Sequence, residues 1–299
     1  MAILIDPPLW PAHGTLFSHL VSDASLDELR TFALEQGLPE RAFDRDHYDV
    51  PQKRYDTLVA AGALPVSATE LVRRLVRSGL RVPARERPER LDAVLLARWD
   101  GLLPGEPELG RDLLARWSEP HRAYHDRAHL LAMLNALDTL TGSNEKDPAH
   151  RAIYLAAWYH DAVYNGRPSD ERDSAALAAA QLPEAGLDLA EIDEVVRMVE
   201  LTIEHRPGPG DAAGQLLCDA DLEVLGREAG AYRRYALSVR REYAHVPDAA
   251  FAAGRAAILR KLLEADYLYS SPLARSLWET RARANLAEEI ELLERPEPS

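Results

Sequence analysis

"AIYLAAWYHD", residues 152–161, is an apolar stretch that ends in a histidine and an aspartate. Its alanines, isoleucine, leucine and tryptophan make it apolar on every side, which is typical of a helix that is buried in a protein core. A polar pair at the end of such a helix loses its hydration, which is unfavourable unless another group binds it. The stretch therefore predicts a helical core with a polar site at His160 and Asp161.

Helical periodicity extends from this stretch in both directions, from about residue 91 to residue 293. Successive segments carry apolar side chains every three or four residues, and together they predict roughly eight or nine helices. The N-terminal residues differ, because "AILID" predicts a short buried strand and "AFDRDHYDV" predicts a strand or an extended loop. Ser25 and the Ser67/Glu70 capping box predict helix starts in the same region. The predicted fold class is mainly α, an all-helical bundle preceded by a small α/β domain.

A charged, proline-containing segment, "RVPARERPER" at residues 81–90, lacks apolar periodicity and is typical of a linker. We therefore expect an α/β domain at residues 1–82, a linker at 83–90 and the helical domain at 91–295. The length of 299 residues also favours two domains.

Charge and cysteine content restrict the partners and the compartment. The formal net charge of -14 disfavours binding to a nucleic acid duplex or to an anionic membrane. No signal peptide and no transmembrane segment is apparent in the sequence. The single cysteine, Cys218, lies among apolar residues and is expected to be a small buried hydrophobe. These features predict a cytoplasmic protein.

Histidines and aspartates recur at three places in the helical region. His125 and His129 are four residues apart near the start of a predicted helix, so they are expected on one face. Asp219 and Asp221 lie in the apolar stretch "LLCDADLEVLG". One divalent cation would satisfy all three helices if it were bound by His129, His160, Asp161 and Asp221. Such ligands suit Mn, Fe, Co, Ni or Zn, with Mg also possible. Each pattern alone also arises on solvated helix surfaces, and only the combination favours a metal site.

The order of these motifs on a helical domain resembles the HD superfamily of metal-dependent phosphohydrolases, over about residues 109–293. The segments "RAYH", "AAWYHDAVY" and "DADLEVLG" resemble most closely a bacterial group of predicted HD-type phosphohydrolases. "YHDRAHL" and "CDADL" also resemble elements of cyclic nucleotide phosphodiesterases. This resemblance implies that His125 is the general acid for the leaving oxygen and that His129 is a metal ligand. Asp161 would both bind metal and orient the attacking water.

The predicted substrate contacts are less specific. They are Arg122, Tyr124, Glu171, Arg172 and His205. Each arginine has a simpler alternative as a solvated surface charge. The stretch "HDAVYNG" lacks the additional histidine that phosphodiesterases place near a second metal, which puts a binuclear centre in doubt. His205 is the remaining histidine in this region. Its alternatives are to bind a second metal, to contact a phosphate or to cap its own helix, and the cap is slightly favoured.

The predicted function is metal-dependent hydrolysis of a phosphate ester, with a nucleotide or a related small phosphorylated metabolite as substrate. The alternative is a nucleotide-binding regulatory module with an HD fold and no turnover. A purely structural protein would leave the buried histidines and aspartates unexplained. The presence of a predicted proton donor favours the enzyme. A homodimer is a further possibility.

A second group of polar residues lies in the N-terminal region, in "DPPLWPAHGTLFSHLVSD" and "FDRDHYDVP". Its members are His13, His19, Asp23, Asp46, His47 and Asp49. Residues 2–82 resemble a small bacterial domain family of unknown function, which implies no activity. One hypothesis is a second metal site. The alternative is a proline-rich loop framework with exposed histidines and aspartates.

Overall fold

The computed structural model describes residues 2–81, 88–142, 144, 146–147 and 150–295. The chain divides into two compact units, Met1–Ala84 with Ala229–Arg234 and Arg85–Glu228 with Tyr235–Ser299. We call them the N-terminal unit and the helical unit. Residues 83–87 of the predicted linker lie outside the described residues.

A mostly antiparallel sheet forms the N-terminal unit. Its strands are β1 (Ile3–Ile5), β2 (Trp10–Ala12), β3 (Thr15–Ser22), β4 (Phe43–Asp44), β5 (His47–Pro51) and β6 (Leu64–Pro65). The strand order is β4-β5-β3-β1-β6, and β2 also pairs with β3. Only the β1–β6 pair is parallel among these pairings.

Three helices cover this sheet: α1 (Leu26–Glu35), α2 (Tyr55–Ala60) and α3 (Ala68–Arg77). Ile5 and Leu20 pack in one core with residues of α1 and α2, whereas Leu4 packs in another with residues of α3. Alternate strand residues thus face different helices. The predicted caps are confirmed, since the hydroxyls of Ser25 and Ser67 accept the N–H groups of Glu28 and Glu70.

The stretch from Asp6 to Asp23 forms a hairpin of β2 and β3, and β3 lies inside the sheet between β1 and β5. Proline is tolerated in β2 because it is an edge strand. Ser18 and Ser22 are buried on the same face of β3 as Leu20, and His19 shares the other face with Val21. Polar residues on both faces conceal the strand pattern in the sequence. The interpretation of this stretch as a proline-rich loop framework is therefore wrong.

The rest of the chain is helical, as predicted. Its helices are α4 (Pro88–Leu102), α5 (Pro107–Arg116), α6 (Arg127–Thr141), α7 (Arg151–Tyr159), α8 (Asp170–Gln181), α9 (Leu189–Leu201), α10 (Ala212–Asp221), α11 (Ala229–Glu242), α12 (Asp248–Leu263), α13 (Pro272–Ala274) and α14 (Thr280–Leu293). Within the described residues from 88 onward there is no strand. The fold-class prediction is confirmed.

Helix α4 corrects the predicted boundary of the helical region. It begins at Pro88, so residues 88–90 are helical and do not belong to a linker. Proline fits the first turn of a helix, and glutamate and arginine are good helix formers. The composition of the segment therefore suggested a linker where a helix begins.

Helix α7 lies at the centre of the helical unit. Every residue from Ile153 to Tyr159 is buried. Helices α6, α9 and α10 pack against it, and the indole of Trp117 donates a hydrogen bond to the carbonyl of Trp158 at 2.9 Å. Cys218 is buried on α10, as expected. Among the described helices, none combines the length and apolar character needed to cross a bilayer.

A substitution in α7 tests this central position. Leu155 is fully buried, so Leu155→Ala should lower the free energy of unfolding by about 2–5 kcal/mol, through lost burial and a cavity. Leu189→Ala is the matched control because Leu189 is 75% exposed, and its effect should stay within about 0.5 kcal/mol. Chemical denaturation followed by circular dichroism measures both. Equal effects would show that α7 is not the core of this unit.

Candidate metal centre

Three helix ends bring four side chains to one buried place. The carboxylate of Asp126 accepts the N–H groups of Ala128 and His129 at 2.8 and 3.3 Å, so α6 starts one turn before His129. Helix α7 ends immediately before His160 and Asp161. Asp221 is the last residue of α10. The sequence positions of the helix ends therefore determine where these side chains meet.

The ligand atoms of this cluster are close together. The Nε2 atom of His129 lies 3.2 Å from Nε2 of His160, 3.1 Å from Asp221 Oδ1 and 3.9 Å from Asp161 Oδ2. The Nε2 atom of His160 lies 3.0 Å from Asp161 Oδ2 and 3.6 Å from Asp221 Oδ1. In tetrahedral coordination with bonds of about 2.1 Å, neighbouring ligand atoms are about 3.4 Å apart. The observed spacing fits ligands that surround one ion.

The orientation of His160 also fits a metal ligand. Its Nδ1 donates to the carbonyl of Ala157 at 2.9 Å, so in the neutral ring the lone pair is on Nε2. That nitrogen faces His129 Nε2, and two lone pairs at this distance repel unless a proton or a cation lies between them. A backbone carbonyl bound to the outer nitrogen is the usual partner of a metal-binding histidine. His129, His160 and Asp161 can therefore hold a metal ion together.

The charges in this cluster depend on one another. Burial lowers the pKa of His160, but the carboxylates of Asp161 and Asp221 outweigh burial and raise it well above its usual value. Burial raises the pKa of both carboxyls, but the charge of His160 outweighs burial and leaves both below their usual range. Burial leaves the pKa of His129 lowered. The two carboxylates thus attract a positive charge, and a divalent cation can replace the proton.

His205 joins this cluster, which corrects the preference for a helix cap. Its Nε2 lies 2.6 Å from Asp221 Oδ2, whereas His129 is near the other oxygen of this carboxylate, Oδ1. The backbone of His205 has φ 52, a left-handed conformation that is strained for a residue with a side chain. In this conformation the imidazole faces Asp221. His205 can therefore orient this carboxylate.

His125 lies just before α6, not within it, since Asp126 is the N-cap. Its ring centre is still only 5.8 Å from that of His129. Its Nδ1 is 2.7 Å from Oε2 of Glu242, whose side chain is almost fully buried. The ring of Tyr164 stacks on His125 at 4.3 Å, and its hydroxyl donates to Glu242 at 3.1 Å. His125 is thus held on two sides beside the cluster.

Glu242 is a functional candidate that sequence reasoning missed. Its Oε1 accepts the backbone N–H groups of Ala123, Tyr124 and His125 at 2.8, 2.8 and 2.9 Å. Burial raises its pKa, but the hydrogen bonds from His125 and these N–H groups outweigh burial and bring it to about 2. Burial lowers the pKa of His125, and the bond to Glu242 and nearby carboxylates outweigh burial and raise it. Glu242 therefore favours a proton on Nδ1, which leaves Nε2 to exchange one.

The predicted substrate contacts do not all lie at the cluster. The side chain of Arg122 is fully buried and donates to the carbonyls of His125, Asp161 and Ala162 at 3.0, 2.7 and 3.3 Å. This geometry favours a structural role for Arg122 over a phosphate contact. Tyr124 packs its ring 4.8 Å from that of His129. In the described part of the chain, no hydrogen bond or ion pair joins Glu171 or the exposed Arg172 of α8 to the cluster.

Neighbouring carboxylates have other tasks. Asp219 points away from the cluster and accepts the N–H groups of Ser270 and Ser271 at 2.6 and 2.7 Å. Asp170, at the start of α8, accepts the N–H groups of Asn165 and Arg167 at 2.7 and 2.9 Å. Asp170 thereby fixes the loop that carries Tyr164.

Comparisons with known proteins inform mainly on the N-terminal unit. The family model described as Protein of unknown function (DUF4031) matches residues 3–78, which confirms the resemblance seen in this region. No model of an HD-domain family matches the chain, so that assignment stays a prediction. No curated protein and no solved structure matches the chain.

Removal of a ligand tests the metal centre. His160→Ala and Asp221→Ala should each bind one metal ion per chain fewer than the wild type, because the remaining ligands are mispositioned. His245→Ala and Asp193→Ala are matched controls at exposed positions and should keep the wild-type metal content. Elemental analysis after dialysis against Zn²⁺ or Mn²⁺ measures the stoichiometry. Undiminished metal in a folded His160→Ala protein would contradict the ligand assignment.

Proposed function

We propose that the helical unit is a metal-dependent phosphohydrolase that acts on a small phosphorylated metabolite such as a nucleotide. The observation that carries this proposal is the His125–Glu242 pair beside the cluster of His129, His160 and Asp161. Metal binding alone does not require His125, a histidine outside the ligand set that is oriented by a carboxylate. Hydrolysis of an ester does, because the leaving oxygen needs a proton.

The proposed roles follow from the contacts. His129, His160, Asp161 and Asp221 would hold a divalent ion. When bound, the ion supplies a water of lowered pKa and positive charge for the phosphate oxygens. This local charge matters, because the chain as a whole carries a formal charge of -14.

Proton transfer is assigned to His125. Its Nδ1–H is held by Glu242, so Nε2 can carry a proton to the leaving oxygen of the ester. Tyr164 keeps the ring in place by stacking, and its hydroxyl bond to Glu242 fixes the carboxylate as well. Glu242 and Tyr164 are positioning residues, since they contact His125 and not the substrate.

The HD type of the helical unit is part of the same proposal. The predicted ligands come in the order expected for that superfamily, from the start of α6, the end of α7 and the end of α10. The nucleotide-binding module without turnover is the competing function. A module of this kind would explain the metal ligands, but it would not explain the His125–Glu242 pair.

A phosphate-release screen of the full chain tests the proposal. Nucleotides, cyclic nucleotides and sugar phosphates are incubated with Mn²⁺, Co²⁺, Ni²⁺, Zn²⁺ or Mg²⁺. We expect turnover of at least one substrate, which is lost on chelation and restored by metal. Metal-dependent nucleotide binding without phosphate release from any substrate would favour the regulatory module.

His125 and His129 should respond differently to substitution. His129→Ala should lose metal and activity together. His125→Ala should keep its metal and lose turnover by on the order of 10²–10⁴-fold, the usual contribution of a general acid. The loss should be smaller for p-nitrophenyl phosphate esters, whose leaving group needs little protonation. Loss of metal from His125→Ala would make it a ligand instead.

Glu242→Gln separates positioning from ligation. The amide oxygen can still accept the backbone N–H groups, so the fold should persist, but the charge that favours the Nδ1–H is gone. We expect unchanged metal content, a reduced kcat and an alkaline limb of the pH–rate profile that moves to lower pH, because the general acid His125 loses the carboxylate that raises its pKa. Glu264→Gln, at an exposed position, is the matched control. An unchanged pH–rate profile in Glu242→Gln would remove its assigned role.

A further inference from the structure

A second cluster of potential ligands lies on the sheet of the N-terminal unit. In the register of β3 and β5, His19 is directly opposite Asp49. His47 precedes Asp49 by two residues on β5, so its side chain is on the same face of the sheet. Ligand atoms of His19, His47 and Asp49 lie within 4.8 Å of one another. Strand pairing therefore brings two imidazoles and a carboxylate together.

Both imidazoles are oriented by buried carboxylates. His19 Nδ1 lies 3.0 Å from Asp6 Oδ2, and His47 Nδ1 lies 2.6 Å from Asp46 Oδ1. Asp6 is 1% exposed and Asp46 is 2% exposed. A carboxylate that holds one ring nitrogen leaves the other nitrogen to bind a metal, and this arrangement is typical of metal-binding histidines. Here it occurs twice, at adjacent ligands.

Asp6 is fixed independently of the imidazole of His19. Its Oδ1 accepts the backbone N–H of His19 at 2.5 Å, and its Oδ2 accepts the indole N–H of Trp10 at 3.3 Å. A buried carboxylate is unfavourable without such partners. These two bonds hold Asp6 in the position from which it orients the ring.

A simple ion-pair cluster is the competing explanation. Burial lowers the pKa of His47, but its bonds to Asp46 and Asp49 outweigh burial and raise it to about 9. A protonated His47 between two aspartates would need no metal. This explanation would not account for the second pair, His19 with Asp6. The ring centre of His19 is 5.0 Å from the ring centre of His47.

We propose that His19, His47 and Asp49 bind a divalent transition metal, with Asp6 and Asp46 as the orienting partners. Two imidazoles and one carboxylate suit Zn, Fe, Co, Ni or Mn. The site is open to solvent on one side, since the side chains of His19 and Asp49 are 27% and 49% exposed. Three protein ligands at an open site leave room for water or substrate, as in catalytic metal sites.

Two other polar residues of this region do not belong to the site. Asp23 accepts the N–H of Ala2 at 2.7 Å and pairs with the guanidinium of Arg74. His13 is exposed in the turn between β2 and β3. His13 therefore provides a matched histidine outside the proposed site but in the same unit.

The test uses the full chain with the helical site disabled by His160→Ala and Asp221→Ala. Co²⁺ is titrated into this protein and followed by visible absorption and by elemental analysis after dialysis. We expect one equivalent of Co²⁺ with d–d bands, displaced by Zn²⁺. Adding His47→Ala should abolish this binding, and His13→Ala should leave it unchanged. Absence of Co²⁺ binding in the folded background protein would overturn the proposal.

Two further variants guard against loss of folding. Asp49→Asn changes a half-exposed side chain, so it should weaken Co²⁺ binding while the circular dichroism spectrum stays that of the parent. Asp6→Asn retains an acceptor for the N–H of His19 and should weaken binding by about 10–100-fold, as expected for an orienting partner. Unaltered Co²⁺ affinity in both variants would show that Co²⁺ binds elsewhere, and these histidines and aspartates would then form an ion-pair cluster without a metal.

The two metal sites can fail separately. In the otherwise wild-type chain, His47→Ala should lower the Co²⁺ stoichiometry from two to one and leave the ligands of the helical site in place. A wild-type stoichiometry of one that is lost in His160→Ala would uphold the helical site and refute this one. The opposite result, one equivalent lost only in His47→Ala, would refute the helical site.

Discussion

The helical unit depends on how the polar end of α7 is accommodated in a core that is otherwise apolar. Residues from Ile153 to Tyr159 are buried, so the chain cannot expose His160 and Asp161 without unpacking the central helix. His160 and Asp161 therefore need polar partners from other helices within the core. Helices α6 and α10 pack against α7, and each contributes one side chain to the cluster, His129 or Asp221. The packing of α6 and α10 against α7 therefore also brings the side chains of the site together. A single partner removed from such a group leaves an uncompensated buried charge.

A common device recurs around the histidines of this chain. One ring nitrogen is fixed by an oxygen, and the other is thereby directed to its task. In His160 the oxygen is the carbonyl of Ala157, and in His125 it is the carboxylate of Glu242. The N-terminal unit uses Asp6 for His19 in the same way. Within the helical unit, the identity of the outer oxygen differs with the proposed role. A neutral carbonyl accompanies the proposed ligand His160, whereas the carboxylate of Glu242 stabilises the positive ring of the proposed proton donor His125.

The sequence predicted those features that local pattern controls. Helical periodicity and capping residues indicated the helices, and the buried context of the motif at 160–161 indicated a polar site at that place. Glu242 could not be found this way, because it meets His125 across 117 residues and looks like a surface charge at the end of an amphipathic helix. The direction of His205 depends on a left-handed backbone that its neighbours do not indicate. The sequence did not indicate strand β3, because polar side chains occur on both of its faces and the usual alternation of apolar and polar residues is absent.

Arg122 links two segments that are about forty residues apart in the chain. Its single planar guanidinium binds the carbonyl of His125 and the carbonyls of Asp161 and Ala162. Such a group acts as a rigid spacer, because its nitrogens keep fixed distances from one another. In the proposed hydrolase the gap between proton donor and metal would not adapt to the size of the substrate. Every ester would meet the same reactive geometry, and discrimination between substrates would fall to residues farther from the metal ligands and from His125.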